Sequence, residues 1–252
     1  MRYICSRSLL TSASIFVFLS NFPATGASGR LLPDVSPGTS PARAIVIGFV
    51  GGFVGHNNAI HSEVQLAQSL ADAYPSSLQV RIFENHRGRQ ARLEVLRLLD
   101  RDQDGTLSFE EKNSARIAIY GHSWGASEAV NLARRLAGDQ IPVVLTIQVD
   151  SVRKPGEDDA SIPPNVMQAV NFYQLDGLLH GRSQIRAADP SRTWILGNFQ
   201  FEYKSKPVVC EGYPWYARLF MKPHIEIESD PAVWRRVESL IHAKLLTPPA
   251  GD

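Results

Sequence analysis

The 252-residue chain is 44% hydrophobic and 20% charged, with 26 Lys and Arg against 25 Asp and Glu. That is apolar material for one sizeable core, and the balanced charge excludes the basic footprint of a nucleic-acid-binding domain. Arg2 and Arg7 precede an apolar run from Leu9 to Leu19, and small residues follow through Ala27. This is the layout of a secretory signal peptide, and the run is too short to span a bilayer. The expected organisation is a signal segment over 1–27, a linker over 28–41 and one domain over 42–252. Cleavage near Ala27 removes two basic residues and no acidic one, leaving 24 Lys and Arg against 25 Asp and Glu. It also removes Cys5, so Cys210 has no internal disulfide partner. An exported product with no membrane span is expected, its oligomeric state left open.

After the Pro/Ser/Gly-rich linker, β-branched runs alternate with helix-period stretches, the signature of βαβ units and a mainly parallel sheet. The strands are expected at Ala44–Phe49, Leu78–Phe83, Arg116–Tyr120, Val143–Val149, Met167–Tyr173 and Thr193–Phe199. Helices are expected at His61–Ala73, Gln90–Leu99, Gly125–Ala137 and Pro231–Leu246, the last with Asp230 as N-cap and a proline just inside it. Strands apolar on both faces need helices on both sides, which predicts a three-layer α/β/α sandwich. Pro163, Pro164, Pro207, Pro214 and Pro223 break the later pattern into loops.

Gly121-His122-Ser123-Trp124-Gly125 fits G-x-S-x-G and stands between an apolar strand and an Ala-rich helix. Such a turn exposes a serine above a strand end, and its glycines let neighbouring backbone pass. A serine hydroxyl is a weak nucleophile, so it needs a histidine to take its proton and an acid to orient that histidine. His224 stands in an expected loop before the last helix; His180 and His242 are less suitably placed. Asp150, at the end of the Val143–Val149 strand, is preferred as the acid over Asp176. Backbone N–H groups of Trp124 and of Phe49, in the glycine-rich turn Gly48–Gly52, are the candidate oxyanion hole. No Gly-Lys-Ser/Thr follows those glycines, which argues against a phosphate loop.

These features resemble the α/β-hydrolase superfamily over about residues 42–247. The resemblance implies a reduced α/β-hydrolase core and ester hydrolysis through an acyl-enzyme. Most members carry the acid one strand later, so Asp150 makes the chain similar to the lipase-like minority. No organic cofactor is expected.

Asp100 to Glu111 matches D-x-D-x-D-G-x5-E, the pattern of an EF-hand loop. Asp100, Asp102, Asp104, Thr106, Ser108 and Glu111 stand at the ligand positions, and Gly105 permits the sharp turn. With one loop and a very short exiting helix, a structural Ca²⁺ site is expected rather than a sensor. The substrate class is a small-molecule or lipid ester, or a thioester. Two other readings stay open: acyl transfer by the same serine, and a calcium-stabilised binding protein without catalysis. The aromatic-rich segment Trp194–Phe220 either walls an acyl pocket or packs into the core.

Overall fold

All seven residues of the strand Ala44–Val50 are buried, as expected of a strand covered on both faces. The structure, a computed structural model, describes residues 44–246; the expected signal segment and linker lie outside the described residues. In chain order the elements are β1 (Ala44–Val50), α1 (Ser62–Ala73), β2 (Leu78–Glu84), α2 (Gly88–Leu99), α3 (Phe109–Asn113), β3 (Ile117–His122) and α4 (Trp124–Gly138). There follow β4 (Val143–Val149), β5 (Ser161–Ile162), β6 (Val166–Gln174), β7 (Arg186–Ala187), β8 (Trp194–Phe201), α5 (Trp215–Phe220), α6 (Lys222–Ser229) and α7 (Pro231–Leu245).

Six strands form one parallel sheet in the order β2-β1-β3-β4-β6-β8, and β5 and β7 pair in a minor parallel ladder. Side chains alternate across the sheet. On one face Ile45, Ile47, Phe49, Ile117 and Ile119 pack under α2 and α4 through Ala91, Val95, Ala129 and Leu132. On the other, Val46, Ala118, Leu145 and Ile147 meet α1 and α7 through Leu66, Leu70, Val233 and Val237. This is the three-layer α/β/α sandwich expected from the sequence.

Six expected strands and four expected helices are present, with ends moved by one or two residues. The short β5 and β7 were not among the expected strands, and after β8 the helices α5 and α6 occupy an expected loop region. Pro223 sits in the first turn of α6, where its missing N–H and fixed φ suit a helix start rather than break one. His224 is therefore a helix residue and not a loop residue. Within Trp194–Phe220, Phe199, Phe201 and Tyr203 pack with the core on the α7 side, whereas Tyr213 lines a cavity. Among the described residues no helix is long and apolar enough to cross a membrane.

Candidate active site

The sheet's C-terminal edge gathers the candidate residues, as parallel α/β sheets generally do. Ser123 joins β3 to α4 with φ 57° and ψ −125°, a left-handed conformation that costs a non-glycine residue free energy. The flanking glycines make that turn possible. A Cβ on Gly121 would lie 2.5 Å from the Gly125 backbone, and one on Gly125 would lie 2.3 Å from the Phe49 carbonyl oxygen. Ser123 donates its N–H to the Val149 carbonyl, which ties the elbow to the end of β4.

His224 Nε2 lies 2.9 Å from Ser123 Oγ, and His224 Nδ1 lies 2.7 Å from Asp150 Oδ2. All three side chains are buried or nearly so. Asp150 follows β4 directly, with φ 43°. Its carboxylate also accepts from Gln174 Nε2 at 2.8 Å, the Gln174 N–H at 3.2 Å and the Gly181 N–H at 2.7 Å. Four donors thus hold the carboxylate in a fixed orientation. A side chain at Gly181 would meet the Asp150 backbone at 2.3 Å, so only glycine fits there. Asp176 is elsewhere: it accepts from the Tyr203 N–H at 2.7 Å and pairs with Lys204. Arg182 bonds buried Asp159 at 2.7 Å; Asp159 in turn accepts from Ser151, beside Asp150.

A cavity of about 580 Å³ opens over Ser123 and His224. Its walls include Val54, Ile60, Val152, Leu179, Met221 and Ile225, and they are mostly apolar. Trp124 is the first residue of α4, so its N–H has no partner within the helix. Phe49 does not fit the role expected of it. It lies inside β1, paired with Phe83 on one side and Gly121 on the other, and its ring is wholly buried. Its backbone belongs to the sheet ladder because the strand runs one residue further than expected. The turn that lines the cavity is Gly51-Gly52-Phe53. Gly51 donates its N–H to Glu63, which leaves the N–H groups of Gly52, with φ 46°, and Phe53 as the candidate donors of this turn.

The acidic loop spans the gap between α2 and α3. Donor oxygens of Asp100, Asp102 and Asp104 lie within 4.8 Å of one another. Asp100 Oδ2 accepts the Gly105 N–H at 3.1 Å, while Asp100 Oδ1 is buried without a hydrogen-bond partner. Asp104 Oδ1 accepts from the Thr106 N–H and hydroxyl. Glu111 closes a capping box with Ser108 and accepts the Arg101 N–H at 2.7 Å. The Arg101 and Ser108 bonds hold its carboxyl below the usual range. An orphaned oxygen and converging carboxylates suit a cation, while a bidentate grip by Glu111 would exchange its capping bonds.

His61, Glu63, His122 and Glu228 cluster next to Ser123, and only His122 stands within a recognisable sequence motif. The His122 ring packs at a tilt of 35° against His224, with ring centroids 4.5 Å apart.

No protein-family model matches the chain, and no curated protein matches it. Solved structures similar to it include one from Xanthomonas campestris pv. campestris described as a hydrolase of the alpha/beta superfamily. It is 13% identical, over 80% of this chain and 99% of that one, with a TM-score of 0.40. A cutinase-like protein from Cryptococcus sp. is 15% identical, over 82% and 98%, with a TM-score of 0.42. An acetylxylan esterase is 12% identical, over 82% and 100%, with a TM-score of 0.38.

Proposed function

We propose that this chain is an exported serine hydrolase that cleaves a carboxylic ester or thioester through an acyl-enzyme. The observation that carries the reading is the unbroken Ser123–His224–Asp150 hydrogen-bond chain at the floor of an apolar cavity. Ser123 Oγ attacks the substrate carbonyl carbon as its proton passes to His224 Nε2. The charge that develops on the carbonyl oxygen is met by the N–H groups of Trp124 and of Gly52 or Phe53. Asp150 keeps the Nδ1 proton of His224 in place and stabilises the imidazolium. His224 then protonates the leaving alcohol or thiol, and water repeats the sequence on the acyl-enzyme with His224 as base.

The fit of the 100–111 loop supports a Ca²⁺ ion held by Asp100, Asp102 and Asp104 with Thr106, Ser108 and Glu111. When bound, the ion neutralises their carboxylates. These residues then fix the connection from α2 into β3, the strand that presents Ser123. The catalytic reading is tested by hydrolysis of p-nitrophenyl butanoate. Ser123→Ala and His224→Ala are expected to lose activity by about 10³-fold or more while keeping the wild-type circular dichroism. Unchanged turnover in folded Ser123→Ala would overturn it.

A further inference from the structure

Next to the serine stands a second group of buried ionisable side chains that the hydrolytic chemistry does not use. His61 caps α1, Glu63 lies in its first turn, His122 ends β3, and Glu228 sits on α6 one turn beyond His224. His61 Nδ1 is 2.5 Å from Glu228 Oε1. His122 Nδ1 is 3.3 Å from Glu228 Oε2 and 3.8 Å from Glu63 Oε1. Donor atoms of His61, Glu63 and Glu228 all lie within 4.8 Å of one another.

The arrangement is electrostatically incomplete. Glu63 and Glu228 are 0% and 3% exposed, and among the described residues their ion pairs are with His61 and His122 alone. Glu63 Oε2 is buried without a hydrogen-bond partner. Two facing carboxylates out of water need either a shared proton or a cation between them.

We infer that His61, Glu63, His122 and Glu228 form a closed four-ligand site for a zinc-type divalent cation. Nitrogen and carboxylate donors in this number suit tetrahedral Zn²⁺, whose bonds of about 2.0–2.2 Å put ligand atoms roughly 3.3 Å apart. His61, Glu63 and Glu228 already converge, and His122 Nδ1 stands beside them, 3.3 and 3.8 Å from the two glutamates; to complete the site His122 has to close on His61 and the His61–Glu228 pair has to open. Two neutral imidazoles and two carboxylates balance a double positive charge. All four positions are filled by protein, so the ion positions rather than catalyses. It ties α1 to the end of β3 and to α6, and α6 carries His224. The acidic loop at 100–111, made of oxygen donors alone, is a separate site with a different preference.

The test is equilibrium dialysis of the full chain, made without a polyhistidine tag and stripped with chelator, against Zn²⁺ at low micromolar concentration. Bound metal is read by mass spectrometry. One Zn²⁺ per chain is expected in the wild type and in Asp104→Asn, and it is expected to disappear in Glu63→Gln and His61→Asn. Asparagine is a favoured helix cap, so His61→Asn keeps the test decisive if the buried Glu63→Gln misfolds. Co²⁺ should give visible bands of tetrahedral intensity in the wild type and lose them in His61→Asn. A wild type that takes up no stoichiometric metal, or a His61→Asn chain that binds as much as wild type, overturns the site and leaves a shared carboxyl proton. The readout is bound metal, so it stands or falls independently of the serine chemistry.

Discussion

Asp150 illustrates how much of the proposed chemistry rests on one residue's surroundings. Its carboxylate is wholly buried, yet four donors satisfy it and hold it against His224. Asp150→Asn should keep the packing but offer His224 an amide, favouring the wrong tautomer. A fall in kcat/KM of about 10³- to 10⁴-fold on a p-nitrophenyl ester is expected. Asp176→Asn, which touches only the Tyr203 and Lys204 region, should leave kcat/KM near wild type. A reversal of those two results would move the acid to Asp176. Gly125→Ala is expected to fail for steric reasons, because its Cβ would drive into the Phe49 carbonyl of β1. Its destabilisation of about 1–3 kcal/mol should appear in urea unfolding.

Among the elements, the loops around the serine carry the remaining predictions. The loop after β1 is anchored through His56, whose ring lies 2.6 Å from Glu84 Oε1 while its N–H reaches the same oxygen. Burial alone would raise the Glu84 pKa, but these bonds outweigh it and hold the carboxyl at about 2 against an ordinary 4.5. A depressed pKa means that the anchor stabilises the fold above the unfolded value and is lost as pH falls through the folded one. Carboxyl NMR should therefore show Glu84 titrating near 2, moving up toward 4.5 in His56→Ala. For the 100–111 loop, Ca²⁺ at about 100 times its Kd should add about 2.7 kcal/mol, a rise in Tm of roughly 5–10 °C. Asp100→Asn should lose that rise, and a wild-type Tm indifferent to Ca²⁺ would remove the ion from the account.

These same elements show what was legible in the sequence. The central strands were readable because their apolar runs are long and covered on both faces, which leaves few alternatives to a parallel sheet. Ser123 and Asp150 were readable because each terminates such a strand. Helix α6 was not, since a proline and the alternation His224-Ile225-Glu226-Ile227-Glu228 read as a loop until packing buries both glutamates. Phe49 was misassigned for a related reason: local glycines mark a turn, but only pairing with β2 and β3 shows where the strand stops. The His61, Glu63, His122 and Glu228 group joins three segments distant in sequence, and no local pattern announces it.

At the scale of the whole molecule, the sheet's C-terminal edge, the loop after β1, α5 and α6 line a mainly apolar cavity that points to acyl groups with some length. Burying a methylene is worth about 0.8 kcal/mol, so butanoyl esters should exceed acetyl esters by about tenfold in kcat/KM. Equal rates across that series would place the acyl chain outside the cavity. The central claim, however, is that Ser123 is chemically activated by His224 and Asp150. Its most direct test is covalent labelling of the chain by a fluorophosphonate probe, with the modified peptide identified by mass spectrometry. The expected result is a single adduct on Ser123, absent in Ser123→Ala and strongly slowed in His224→Ala; a folded wild-type chain that stays unlabelled, or labels equally in those variants, would contradict it.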